Sequence, residues 1–103
     1  MNATNGKLLG GENMAYQVKN IRHLYLTLLQ RYPSVPEVTY WLHFLAAGGT
    51  EQAIRLDLVE THEFQFEITS RFRSRHKRQP NPAEILSLRE KAVRCQSLDE
   101  VVA

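Results

Sequence analysis

The amino-acid sequence predicts an all-α fold of about five short helices in a compact bundle, and three features carry that prediction. Apolar residues recur at spacings of three and four, the period of a helix face and not of a strand. A small polar residue followed three positions later by Glu recurs ahead of apolar runs, which is the capping-box pattern of a helix start. Proline and glycine punctuate the intervals, and no alternating apolar–polar run marks a strand.

The first helix is expected over residues 14–31, with Met14, Val18, Ile21, Tyr25, Leu28 and Tyr32 on one face and Leu24 and Leu29 widening the stripe. Pro33 disfavours helical backbone at the residue before it and sets the end. The stretch Ser34-Val-Pro-Glu37 then has capping-box spacing, with Pro36 in the first turn where its missing N–H is harmless. Val38, Trp41, Leu42 and Leu45 form the buried face of this second helix, and the glycines at 48 and 49 terminate it. Thr50 caps a third helix bearing Ile54 and Leu58, and Thr61 restarts or kinks the chain ahead of Phe64, Ile68 and Phe72. Asn81-Pro-Ala-Glu84 and Ser97-Leu-Asp-Glu100 are two further capping boxes.

These signals repeat. At an offset of 47 residues Arg31 falls on Arg78, Pro33 on Pro80, Ser34 on Asn81, Glu37 on Glu84, Trp41 on Leu88 and Thr50 on Ser97. Two degenerate copies of helix, proline turn, capped helix, turn and capped helix account for the chain. Residues 1–13, polar and glycine-rich, read as a flexible lead-in, and residues 14–103 as a single helical domain.

The composition narrows the function classes. No apolar run approaches the length of a membrane span and no signal peptide is evident, so a cytoplasmic location is expected, with room for peripheral association. The single cysteine, Cys95, cannot close an internal disulfide and reads as a small packing residue. The formal net charge is +2, yet residues 71–78 hold five of the thirteen basic groups, and the rest of the chain is acidic by three charges. Arg71, Arg73, Arg75, Lys77 and Arg78 thus form a basic band on a mildly acidic body, with Arg71, Arg75 and Arg78 expected on one helix face.

Residues 24–64 resemble the bacterial domain of unknown function catalogued as the 4214 family, itself similar to phycobilisome linker domains. The landmarks are Leu24–Tyr25, Leu29–Gln30–Arg31 with Pro33, Tyr40–Trp41, Gly49–Thr50 and Thr61–His62–Glu63–Phe64. Gln30 stands where the family has glycine, Val35–Pro36 where it often has Asp and Gly, and Thr61 where it has Ser. The resemblance implies a helical, non-catalytic module that holds larger assemblies together, with Tyr25, Arg31, Pro33, Tyr40, Trp41, Gly49, Thr50, Glu63 and Phe64 as structural motif residues.

Little in the chain points to catalysis or to a cofactor. His23, His43, His62 and His76 lack metal-ligand spacing and lie on different expected elements. No nucleophile elbow and no phosphate-binding glycine loop is present, so no enzyme activity, metal or cofactor is expected. Arg31 is expected to bond carbonyls or a carboxylate across its turn, Glu63 to cap a helix, and Trp41 to anchor the core. The leading expectation is therefore a non-enzymatic protein–protein interaction module, an accessory or linker subunit docking onto a larger protein complex with an acidic surface. The basic band and the apolar residues off the main stripes (Leu56, Val59, Phe66, Leu86 and Val93) would meet the partner. A carbohydrate- or envelope-binding domain using Trp41 is a second expectation. A nucleic-acid accessory protein using residues 71–78 is a third, against which the acidic remainder and the lack of interleaved aromatics weigh.

Overall fold

In a computed structural model, which describes residues 10–94 and 97–103, the chain forms six α-helices and, among those residues, no strand. They are α1 (Gly10–Leu29), α2 (Val35–Ala46), α3 (Glu51–Val59), α4 (His62–His76), α5 (Pro82–Arg94) and α6 (Leu98–Val102). The expected helical bundle is thus present, with the short C-terminal turn after Ser97 as its sixth member. Residues 1–9 of the expected lead-in and Cys95 lie outside the described residues, and α1 begins at Gly10, ahead of the expected start at Met14.

The caps are those the spacing requires. Ser34 and Glu37 exchange hydrogen bonds across the start of α2, with Ser34 N–H donating to Glu37 Oε1 at 2.8 Å and Glu37 N–H to Ser34 Oγ at 3.2 Å. Asn81 and Glu84 do the same at α5, and Ser97 and Glu100 at α6. Thr50 and Thr61 accept from the amides of Ala53 and Phe64 at 3.1 Å each, so Thr61 does restart the helix and separates α3 from α4. Glu63, expected as a cap, instead occupies the first turn of α4 behind that threonine.

The two terminal glycines of α2 act for different reasons. Gly48 has φ +103°, where a side chain is strained, and its N–H and that of Gly49 return to Leu45 O and Phe44 O in a Schellman motif. Gly49 instead lies under the Phe44 ring, and a Cβ there would stand 2.3 Å from a ring carbon.

The core assembles from Ile21, Leu24, Tyr25, Leu28 and Leu29 of α1, Trp41 of α2, Ile54, Leu58 and Val59 of α3, Phe64, Ile68 and Phe72 of α4, and residues of α5 and α6. Helix α1 packs on α2, α3 and α4, while α5 packs on α3, α4 and α6. Two members of the expected α1 stripe are exposed, Met14 at 54% and Tyr32 at 68%, and Val18 is half-buried. With 20 residues, α1 is about 30 Å long, and its buried residues begin only at Ile21, so Met14 stands in the turns that precede the core. Tyr32 leaves the stripe because Gln30, at φ 59°, ends the helix two residues earlier.

The offset of 47 residues is visible in three dimensions. Helices α1 and α4 end at Leu29 and His76, α2 and α5 begin at Val35 and Pro82, and α3 and α6 begin at Glu51 and Leu98. Gln30 and Lys77, the only described non-glycine residues at positive φ, share nearly the same angle, 59° and 61°. Each follows a helix end and turns the chain toward the next proline.

Candidate functional site

Arg31 gathers a network in the first half. Its Nη1 and Nη2 donate to the two carboxylate oxygens of Glu37 at 2.9 Å each, and Nε and Nη2 donate to Glu63 at 2.5 and 3.1 Å. A further bond reaches the Tyr32 carbonyl at 3.1 Å, and the guanidinium stands 5.2 Å from the Tyr25 ring centroid. Tyr25 in turn accepts a hydrogen bond from Trp41 Nε1 at 2.9 Å. One planar cation thus ties the ends of α1, α2 and α4 together, as a bidentate fork allows and an ammonium would not. The Arg31 guanidinium, aided by the Ser34 amide, holds the Glu37 carboxyl at about 2, well below its ordinary 4.5. Burial pushes the Tyr25 phenol up, partly offset by the Trp41 hydrogen bond.

The second half carries the same arrangement. Arg78 donates to both oxygens of Glu84 at 2.9 and 2.7 Å, reaches the next carbonyl, Gln79 O, at 3.2 Å, and lies 5.0 Å from the Phe72 centroid. Glu84, paired with Arg78 and bonded by the Asn81 amide, is likewise held at about 2. Arg31, Glu37 and Glu63 are thus bonded to one another within the fold, Glu37 being a member the motif residues did not include. Trp41 is 6% exposed and packed edge-on against Tyr40 and Phe44, which leaves no face for a sugar or a base. Tyr40 is itself 63% exposed, so of the Tyr40–Trp41 pair only the Trp enters the core.

The basic band does not survive as one face. Helix α4 ends at His76 and Lys77 adopts a left-handed conformation, so Arg78 lies off the helix that carries Arg71 and Arg75. Arg71 is engaged inside the fold, donating to Asp99 Oδ1 at 2.6 Å and Gln30 Oε1 at 2.8 Å, and so joins α4 to α6 and to the end of α1. Of the five cations of the band, Arg73, Arg75 and Lys77 are exposed with no ion pair among the described residues.

The apolar residues off the main stripes divide in a similar way. Val59 is buried at 2% exposure and Val93 packs half-buried against the core, whereas Leu56, Phe66 and Leu86 stand 49%, 71% and 62% exposed. Leu56 and Leu86, from opposite halves of the chain, come together across a groove of about 280 Å3 between α3 and α5. Val59 and Val93 form its floor and Glu60, Arg89 and Glu90 its rim. A second groove, also of about 280 Å3, runs along α4 past His62, Phe66, Thr69 and Arg73. Arg89 links the two, its Nε donating to Val59 O at 3.0 Å and its Nη2 to Gln65 Oε1 at 2.8 Å.

Arg89, Glu60 and Glu90 were not legible as surface determinants, because their place depends on how α5 lies against α3 and α4. The signal available was modest: Arg89 and Glu90 follow Leu86 at helical spacing, on the side opposite the core residues Leu88 and Ala92. Among the described residues no cluster of side chains has the composition of a metal centre, and no helix is long and apolar enough to cross a membrane.

No family model, no curated protein and no solved structure matches the chain.

Proposed function

We propose that this protein is a non-enzymatic helical interaction module, an accessory or linker-type subunit that docks onto a larger protein assembly. The observation that carries the reading is the α3–α5 groove, where two leucines that a helical bundle would bury remain at the surface over an apolar floor. Large apolar side chains gathered at one place, rimmed by charge, have the anatomy of a protein contact. The motif resemblance of residues 24–64 to the 4214 family and the linker domains supports the same reading and gives it a bacterial setting. Arg73, Arg75 and Lys77 at the end of α4 supply the cations for an acidic surface on the assembly, steering its approach. The carbohydrate reading has lost its side chain, since Trp41 is buried. The nucleic-acid reading retains three of its five cations, Arg71 and Arg78 being tied up within the chain.

Co-purification of the tagged full chain from cells that make it tests the proposal. The expected result is a protein recovered in stoichiometric amount, lost with Leu56→Glu, and released more readily as salt rises. Recovery of no stoichiometric protein, or of the same protein undiminished with Leu56→Glu, overturns it.

A further inference from the structure

The two grooves are linked by the Arg89–Gln65 hydrogen bond, each groove supplying one of the partners, and they differ in the charges they carry. On the α4 side a large apolar side chain projects: Phe66 is 71% exposed, with Arg73 two helical turns further on and on the same face. On the other side is a hollow, apolar at its floor, whose rim carries Glu60 and Glu90 and one cation, Arg89, already bonded to Val59 O and Gln65 Oε1. Arg73, Glu60 and Glu90 have no ion pair among the described residues, so their charges are free to meet others.

A face that bears a projecting ring with a cation next to an apolar hollow with anions is complementary to itself after a two-fold rotation. This is the condition for an isologous contact, in which residue i meets residue j and j meets i. We propose that the protein pairs with a second copy of itself through this face, Phe66 of each copy seated between Leu56 and Leu86 of the other. Arg73 of each copy then faces Glu60 and Glu90 of the other. An aromatic ring in an apolar pocket, enclosed by charge pairs at the rim, is the pattern that concentrates binding energy at protein contacts. The inference rests on the reading of the α3–α5 groove as a docking surface and names its occupant. A larger assembly is then met by the pair, through Arg75 and Lys77 of both copies, and its capture falls with Leu56→Glu because the pair is lost.

Sedimentation velocity and light scattering of the full chain across a wide concentration range test it. The wild-type chain is expected to form dimers, and Phe66→Glu and Leu86→Glu each to weaken dimerisation about 30-fold or more. Both positions are exposed, so unchanged helical circular dichroism is the control for folding. Arg73→Glu alone and Glu60→Arg/Glu90→Arg alone are expected to be monomeric. Mixed, they are expected to form a heterodimer, because the reversed charges then meet one another at one end of the two-fold contact and the native pair is kept at the other. A wild-type chain that stays monomeric, a dimer indifferent to both Phe66→Glu and Leu86→Glu, or mixed charge variants that fail to associate overturns the inference. A monomer that still captures a different protein in a Leu56-dependent way overturns the self-pairing alone and leaves the docking function standing.

Discussion

Gln30 and Lys77 occupy equivalent backbone positions, yet their side chains give them different energetics. Left-handed backbone costs a non-glycine residue about 1–2 kcal/mol. Glycine removes that strain but returns about 0.4–1 kcal/mol of it through greater freedom in the unfolded chain. Lys77 is exposed and makes no described side-chain bond, so Lys77→Gly is expected to stabilise the fold by roughly 0.5 kcal/mol. Gln30 donates to Leu26 O at 2.8 Å and Thr27 O at 3.2 Å and accepts from Arg71 at 2.8 Å. Gln30→Gly gives up these bonds and is expected to be neutral or destabilising. Thermal denaturation of the two variants, read side by side, checks the difference in sign. Equal gains would show that the Gln30 bonds contribute nothing.

At the scale of elements, the α2 and α5 starts are each built as a unit of cap, carboxylate and arginine. Glu37 and Glu84 both accept from their own cap amide and from an arginine six residues upstream, and both are held at about 2 against an ordinary 4.5. A carboxyl whose folded value lies below its unfolded one contributes stability above the unfolded value and loses it as the pH falls toward the folded value. The fold is therefore expected to lose stability between about pH 4.5 and about pH 2. Glu37→Gln keeps an oxygen for the cap amide but has no carboxylate to titrate. It is expected to melt lower than wild type at neutral pH and to lose less on acidification through that window. Parallel melting-temperature curves for the two proteins across the window would contradict this account. The Arg31–Glu37–Glu63 side chains are 33–41% exposed, so the effect is expected to be a few degrees and not outright unfolding.

At the scale of the molecule, the two half-repeats share one core and are not two domains. Helix α1 packs on α4 and α3 packs on α5, while Arg31 of the first half pairs with Glu63 of the second and Arg71 of the second with Gln30 of the first. Arg89 adds a bond from α5 to the last carbonyl of α3. Each half alone would expose half of a shared apolar surface and leave these groups unpartnered. Chains of residues 1–60 and 61–103 are expected to be largely unfolded separately and to gain helical circular dichroism when mixed. A folded half on its own would show that the repeat is a pair of autonomous units.

Much of this was present in the linear order of residues. Ser34, Thr50, Thr61, Asn81 and Ser97 declare their helices because capping is a contact over three residues, independent of anything distant. Core positions such as Ile21, Ile54, Phe64 and Ile68 declare themselves through helical spacing, and the repeat through matched spacing of these same signals. Local order also misled where a helix ended or extended beyond its buried residues. Tyr32 and Met14 continue the apolar stripe in sequence but lie beyond the buried face, and Arg78 continues the basic run but lies past the end of α4.

By itself, then, the sequence determined the helices, their caps and the duplicated plan, since each depends on interactions among residues a few positions apart. Only the tertiary structure decided which charges are spent inside the fold and which apolar residues remain outside. Arg71 and Arg75 stand one helical turn apart and share an expected face, yet one meets Asp99 and Gln30 and the other is exposed with no ion pair among the described residues. Leu56 and Leu86, thirty residues apart, become a single surface only because α5 lies against α3. Contacts between distant segments are set by how helices pack, and the surface left over by that packing is where the function of this protein is proposed to reside.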